Sequence, residues 1–113
     1  MTGGGFELRR EDIGGNPAII ISGEIDISNA AHLARVLKGS VSNQDHDLVV
    51  ELSQVTYVDS AGIRVLFELA SRLKEHQQRL ILVIPEGSGV RRSFMLGGLL
   101  QTVEVVPETP PSG

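Results

Sequence analysis

Apolar positions along this chain follow two spacings, one typical of strands and the other typical of helices. Phe6 and Leu8, with Arg10 next in the series, alternate with polar neighbours, which predicts a half-buried first strand. The β-branched run at 18–22 predicts a second strand that is covered on both faces. The Gly-Gly-Asn-Pro cluster at 14–17 separates the two and predicts that they pair as an antiparallel hairpin.

Three later segments have the spacing of amphipathic helices. The first is predicted to run from an N-cap at Ser28 to about Lys38. The second is predicted at about 60–75, and the third opens at Ser88 and stops at the glycine pair 97–98. Between and after these helices, short apolar runs at about 48–52, 79–84 and 102–106 predict strands, and 53–58 is expected to be a connection.

Strands that alternate with helices require right-handed crossovers and a mostly parallel sheet. We therefore predict one α/β domain at 5–106 with a four- or five-stranded mixed sheet. Its N-terminal hairpin is antiparallel, and its helices pack on one face of the sheet. Residues 1–4 and 107–113 have no core-forming pattern and are predicted to be flexible ends.

Composition excludes several classes of function. The 113 residues are 41% hydrophobic and 21% charged, which is typical of a single folded domain. A net charge of -4, with three Phe and one Tyr, argues against a basic nucleic-acid surface with stacking aromatics. The absence of cysteine excludes thiol catalysis, disulfides and Cys-ligated zinc. The apolar runs are shorter than a membrane span of roughly 20 residues, and no secretory signal is present, so we expect a cytoplasmic protein.

Ser60 stands at the junction between a predicted buried strand and a predicted helix. Free N–H groups and the macrodipole at a helix N-terminus accommodate negative charge, so the fold would tolerate a phosphate there. Judged by the residues alone, the simpler interpretation of Ser60 is an N-cap hydroxyl, and Asp59 has the same interpretation. A phosphoacceptor serine is the alternative.

Three segments of the chain resemble the anti-sigma factor antagonists of the STAS superfamily. The sequence Gly-Glu-Ile-Asp at 23–26 is similar to the family's Gly-Glu-Leu-Asp turn after the second strand. The sequence Val-Asp-Ser-Ala-Gly-Ile at 58–63 is similar to its Asp-Ser-Ser/Thr-Gly-Leu phosphorylation motif, and 90–99 is similar to its closing helix and Thr-Gly-Leu segment. The three segments occur in the expected order and spacing over about 5–106.

The resemblance implies a partner-switching protein that is not an enzyme and carries no cofactor. Such proteins bind an anti-sigma factor that is also a serine kinase, and they thereby free a sigma factor for transcription. The kinase phosphorylates the motif serine, here Ser60, using ATP, and a PP2C-type phosphatase reverses the modification. Asp26 matches an acidic position that lies near the acceptor in the family, and Asp59 is the acceptor's neighbour in the motif.

The resemblance leaves the oligomeric state open between a monomer and a weak dimer. It also leaves an alternative function, a constitutive scaffold subunit of a larger assembly such as a stressosome or a lipid-transport complex. Two residues depart from the family pattern. Ala61 replaces a second hydroxyl, and Arg64 replaces a common glycine at an i, i+4 position from Ser60, where it could pair with a phosphate.

The predicted helix after Ser60 has more apolar residues than packing requires. Those expected to face the sheet are Ile63, Leu66, Phe67, Ala70 and Leu73. Val65 and Leu69 lie on a neighbouring face, where they either complete the core or belong to a partner-binding surface. Gly62 costs about 1 kcal/mol of helix propensity, which either the close approach of a partner or packing against the Asp26 loop explains.

The predicted partner-binding surface around Ser60 comprises Asp26, Asp59, Gly62, Ile63, Arg64, Val65 and Leu69. No pattern supports catalysis or a metal site. Ser60 lies outside a Gly-x-Ser-x-Gly motif, and His32, His46 and His76 do not have the spacing of metal ligands. The Gly-Ser-Gly segment at 87–89 is too short for a phosphate-binding loop.

Overall fold

A computed structural model of the chain describes residues 5–13, 16–40, 47–96 and 103–108. Several predicted features lie outside these residues. They are the predicted flexible end at 1–4, most of the predicted flexible end at 107–113, the hairpin glycines 14–15, and the helix stop at 97–98.

The described residues form one mixed sheet and three helices. The strands are β1 (Phe6–Ile13), β2 (Asn16–Ile25), β3 (Leu48–Val58), β4 (Leu80–Val83) and β5 (Glu104–Val106), in the spatial order β1-β2-β3-β4-β5. The helices are α1 (Ala30–Ser40), α2 (Ser60–Glu75) and α3 (Gly89–Leu96). β1 pairs antiparallel with β2, and the other neighbouring strands pair parallel. The predicted element order, the mixed sheet and the N-terminal hairpin are therefore confirmed.

Alternate positions along each strand face two sides of the sheet, and the helices pack on one of them. In β4, Leu80 and Leu82 belong to the main core, while Ile81 and Val83 belong to a smaller cluster on the opposite side. All three helices contribute buried side chains to the main core: Leu33, Leu37, Leu66, Leu69, Ala70, Leu73, Val90 and Phe94. The prediction that the helices cover one face is confirmed. No helix in the described ranges is long and apolar enough to cross a bilayer.

β3 is longer than predicted. The segment 53–58, expected to be a connection, continues the strand to Val58. Its buried residues Leu52, Val55 and Val58 recur every third position, because the pairing with β2 shifts register twice along this stretch. Such irregularities add residues to one strand and break the alternation that identifies a strand in a sequence.

Gly62 is buried at the point where α2 meets the ends of two strands. An ideal Cβ at this position would lie 2.6 Å from Ile25 Cγ2 and 2.7 Å from Val58 Cγ2. Both neighbours are β-branched and stiff, so neither can move away cheaply. Packing within the chain therefore accounts for this glycine, but its nearest neighbours are the strand ends Ile25 and Val58 and not the Asp26 loop that was predicted.

Gly62→Ala is expected to lower the free energy of unfolding by about 1–3 kcal/mol, because overpacking outweighs the gain in helix propensity. The matched control is Gly39→Ala in α1, where, apart from its chain neighbours and the helix backbone, no atom of the described residues lies within 4 Å of the added Cβ. That variant should gain up to about 1 kcal/mol. Urea unfolding of both variants is the measurement, and equal stability of the two would contradict the packing account.

Candidate functional site

Asp59 caps the N-terminus of α2. Its Oδ1 accepts hydrogen bonds from the backbone N–H groups of Ala61 at 2.9 Å and Gly62 at 3.2 Å. Its carbonyl oxygen accepts the N–H of Ile63 at 3.0 Å, and its own backbone is extended, as is usual for a cap residue. Three of the first four N–H groups of α2, all but that of Ser60, therefore have Asp59 as their acceptor.

Because Asp59 caps α2, the Ser60 hydroxyl is not needed to cap the helix. Ser60 is the first residue of α2 and is exposed. Its hydroxyl makes no hydrogen bond with any residue that the structure describes. The N-cap interpretation thus applies to Asp59 and not to Ser60, whose oxygen is accessible to an incoming group.

The expectation that free N–H groups would receive a phosphate on Ser60 is only partly met. The macrodipole of α2 still favours negative charge there. However, the N–H groups of Ala61 and Gly62 already bind a carboxylate, so a phosphate would lie beside a like charge. Arg64, one turn further along α2, is exposed, and it forms no ion pair within the described part of the chain.

The second oxygen of the Asp59 carboxylate joins α2 to the turn between β2 and α1. Asp59 Oδ2 accepts the backbone N–H of Ile27 at 3.1 Å, and the Asp59 N–H donates to the carbonyl of Ile25 at 3.1 Å. Ile27 itself is 82% exposed. The sequence reasoning did not identify Ile27, although an isoleucine within the polar stretch 26–29 was a usable signal.

Asp26 organises the same turn from within. Its Oδ1 accepts from the backbone N–H of Ser28 at 2.9 Å and also from the Ser28 hydroxyl. Its carbonyl accepts the N–H of Ala30 at 2.8 Å, and α1 begins there. The prediction that Ser28 is the N-cap of this helix is wrong, because α1 begins at Ala30 and Ser28 lies two residues before it, where its hydroxyl donates to Asp26.

The hydroxyl of Ser28, followed by its backbone N–H, holds the pKa of the Asp26 carboxyl below its ordinary value. Asp26 therefore stays ionised and bound within its own turn, and the link from this turn to α2 is made through Ile27 and Asp59. Asp26 was expected to lie near the acceptor motif. In the structure, its turn is joined to that motif through the hydrogen bond between Ile27 and Asp59.

The buried face of α2 is rotated from the predicted one. Phe67, expected to pack on the sheet, is 41% exposed, whereas Leu69 is 5% exposed and belongs to the main core. α1 packs beside α2 on the side of Val65 and Leu69, and a groove of about 330 Å³ lies between the two helices. Because the neighbouring helix covers this side, Phe67 on the opposite side is left outside.

The predicted partner-binding residues differ in their exposure to solvent. Arg64, like Ser60, is exposed, and four others are half-buried: Asp26, Asp59, Ile63 and Val65. Gly62 and Leu69 are buried, so any effect that they have on a partner must pass through packing rather than contact. Over the described ranges, no group of three His, Asp or Glu side chains is arranged to hold a metal ion.

Comparisons with known proteins agree with this geometry. The sequence profile of the STAS domain family matches residues 8–109. The anti-sigma-F factor antagonist RsfB of Mycobacterium tuberculosis is 34% identical over 91 residues, which is 80% of this chain and 73% of the relative. The crystal structure of an anti-sigma factor antagonist from Mycobacterium paratuberculosis is 27% identical, with a TM-score of 0.81 over 92% of this chain and 87% of that one. The unphosphorylated form of the anti-sigma factor antagonist SpoIIAA shares the fold at 19% identity, with a TM-score of 0.69 over 92% and 90% of the two chains.

Ser28→Ala is expected to raise the pKa of Asp26 toward its ordinary value, since it removes the largest cause of the lowered pKa. A lowered pKa in the folded state stabilises the protein above the unfolded pKa, and this stabilisation is lost as the pH falls through the folded pKa. The free energy of unfolding of the variant should therefore be lower than that of the native chain at neutral pH, and this difference should disappear in acid.

Carbon-detected NMR titration of the Asp26 carboxyl is the measurement. Ser71→Ala, an exposed serine within α2, is the control and should leave the titration unchanged. An identical Asp26 pKa in the native chain and in Ser28→Ala would contradict the assignment.

Proposed function

The chain belongs to the STAS domain family, and we propose that it acts there as an anti-sigma factor antagonist controlled by phosphorylation of Ser60. With Ser60 unmodified, it binds an anti-sigma factor that is a serine kinase, and a sigma factor is released for transcription. Once Ser60 carries a phosphate, the complex dissociates, and a PP2C-type phosphatase restores the binding form. The relative that is 34% identical is named an anti-sigma-F factor antagonist, which supports the general part of the proposal.

The observation that carries the proposal is the exposed, unengaged hydroxyl of Ser60. Phosphoryl transfer forms a bond between its Oγ and the γ-phosphorus of ATP, breaks the bond to ADP, and delivers the hydroxyl proton to a base on the kinase. The attacking oxygen must be placed in line with the bond that breaks. An oxygen that no described residue engages meets this requirement without breaking any structural hydrogen bond.

The same arrangement lets the charge change without a change of fold. Phosphorylation adds roughly -1.5 to -2 charge beside Asp59, on a chain whose net charge is already -4. Because Asp59 and not Ser60 caps α2, the modified serine removes no hydrogen bond on which the helix depends. A difference of only ~2.8 kcal/mol between the free and the bound state shifts affinity about a hundredfold.

The proposed docking surface surrounds Ser60 at the N-terminal end of α2. Arg64 supplies an exposed cation, which can bind an acidic group of the kinase before transfer and the phosphate after it. Four other residues of the proposed surface are half-buried: Asp26, Asp59, Ile63 and Val65. In this role the chain is a binding module and the substrate of its partner rather than a catalyst.

Incubation with the cognate kinase and ATP is expected to add one phosphate to the native chain, detected by intact mass. Ser60→Ala should remain unmodified, since it lacks the acceptor oxygen. Ser71→Ala, an exposed serine in the same helix, should be phosphorylated like the native chain. Phosphorylation of Ser60→Ala would refute the assignment of the acceptor.

The binding consequence is tested with Ser60→Asp, which places a permanent charge at the acceptor position. Its affinity for the kinase should fall by about a hundredfold in calorimetry, or ~2.8 kcal/mol. Undiminished binding would contradict the switch. A stable complex that is indifferent to both ATP and this substitution would indicate a constitutive scaffold instead.

A further inference from the structure

The turn between β2 and α1 presents one large apolar side chain to solvent. Ile27 is 82% exposed, more than any other large apolar side chain in the described residues. A single exposed apolar residue is common on protein surfaces and needs no explanation by itself. Ile27 differs from such residues in the way its backbone is held.

Hydrogen bonds fix the backbone of Ile27 from both sides. Its own N–H donates to Asp59 Oδ2 at 3.1 Å. On one side, the Asp26 N–H donates to the side chain of Asn29 at 3.0 Å, and on the other, Ser28 donates to the Asp26 carboxylate. A turn that is already ordered loses little conformational entropy when a partner binds it.

Capping alone does not explain why residue 59 is an aspartate. Asn and Ser cap helices about as well as Asp does. An ionised carboxylate, however, has two accepting oxygens, whereas an Asn amide has one oxygen and one NH₂ donor. In Asp59 the first oxygen caps α2 and the second holds the N–H of Ile27, which an amide NH₂ cannot do.

We propose that Ile27 is an apolar contact for the anti-sigma factor kinase and that Asp59 fixes the position of Ile27 relative to Ser60. This inference rests on the proposed function. The kinase is the partner rather than a second copy of this chain, because Ile27 is tied to the residue next to the phosphoacceptor. When this chain docks with Ser60 at the nucleotide of the kinase, Ile27 therefore also faces the kinase. The chemistry that fits Ile27 is an apolar pocket beside the nucleotide site.

The first test measures affinity for the kinase in the presence of ADP, so that no phosphate is transferred. Ile27→Ala should bind about ten-fold more weakly or worse, as expected when a well-placed apolar contact is truncated. Ile27→Leu keeps the apolar area and should retain most of the affinity. Full affinity of Ile27→Ala would overturn the inference, and so would a weakened self-association with unchanged kinase binding.

A double-mutant cycle tests the part assigned to Asp59. Asp59→Asn keeps the helix cap and loses the acceptor for Ile27, so it should weaken binding of the native chain but not that of Ile27→Ala. An equal loss in both backgrounds would mean that Asp59 contacts the kinase directly, and the positioning role would be wrong.

Amide hydrogen exchange tests the same role without the kinase. In Asp59→Asn the Ile27 amide should exchange faster, while the amides of Ala61 and Gly62 keep their protection. An unchanged exchange rate of the Ile27 amide would contradict the hydrogen bond from Ile27 to Asp59. If the native chain does not bind the kinase at all, the proposed function fails; if it binds and Ile27→Ala binds equally well, only this inference fails.

Discussion

The carboxylate of Asp59 binds backbone N–H groups of two separate segments at the same edge of the sheet. One oxygen accepts the N–H groups of Ala61 and Gly62 at the start of α2, and the other accepts that of Ile27 in the β2–α1 turn. Parallel strands place their carboxyl ends at one edge, so the fold brings these two segments together and the carboxylate fixes their geometry. This contact holds the turn that carries Ile27 against the N-terminus of α2, next to Ser60.

Because Asp59 rather than Ser60 caps α2, the proposed phosphorylation of Ser60 would change the charge at this helix terminus without removing a hydrogen bond of the cap. A serine that capped its own helix would lose that hydrogen bond when it became modified, and the fold would change with it. Because the preceding residue supplies the cap, the hydroxyl of Ser60 makes no hydrogen bond within the described part of the chain. Tight packing of Gly62 against Ile25 and Val58 keeps the terminus in place beneath it.

Residue spacing predicted the order of elements and the limits of α2 because long amphipathic patterns reflect burial directly. It failed where tertiary contacts override the pattern. The register shifts between β2 and β3 hid the strand at 53–58, and the neighbouring α1 buried Leu69 and left Phe67 outside. Motif similarity led to Ser60, but only hydrogen-bond geometry shows that Asp59 holds Ile27, since the two are distant in sequence.

The unfolding free energy of Asp59→Ala tests the central role of this carboxylate most directly. Loss of the cap and of the tie to Ile27 should destabilise the chain by about 2 kcal/mol in urea. Asp59→Ser should recover about half of that loss, because a hydroxyl can cap α2 but offers no second oxygen to the turn. A change within about 0.5 kcal/mol for Asp59→Ala, as for an ordinary surface substitution, would contradict the account.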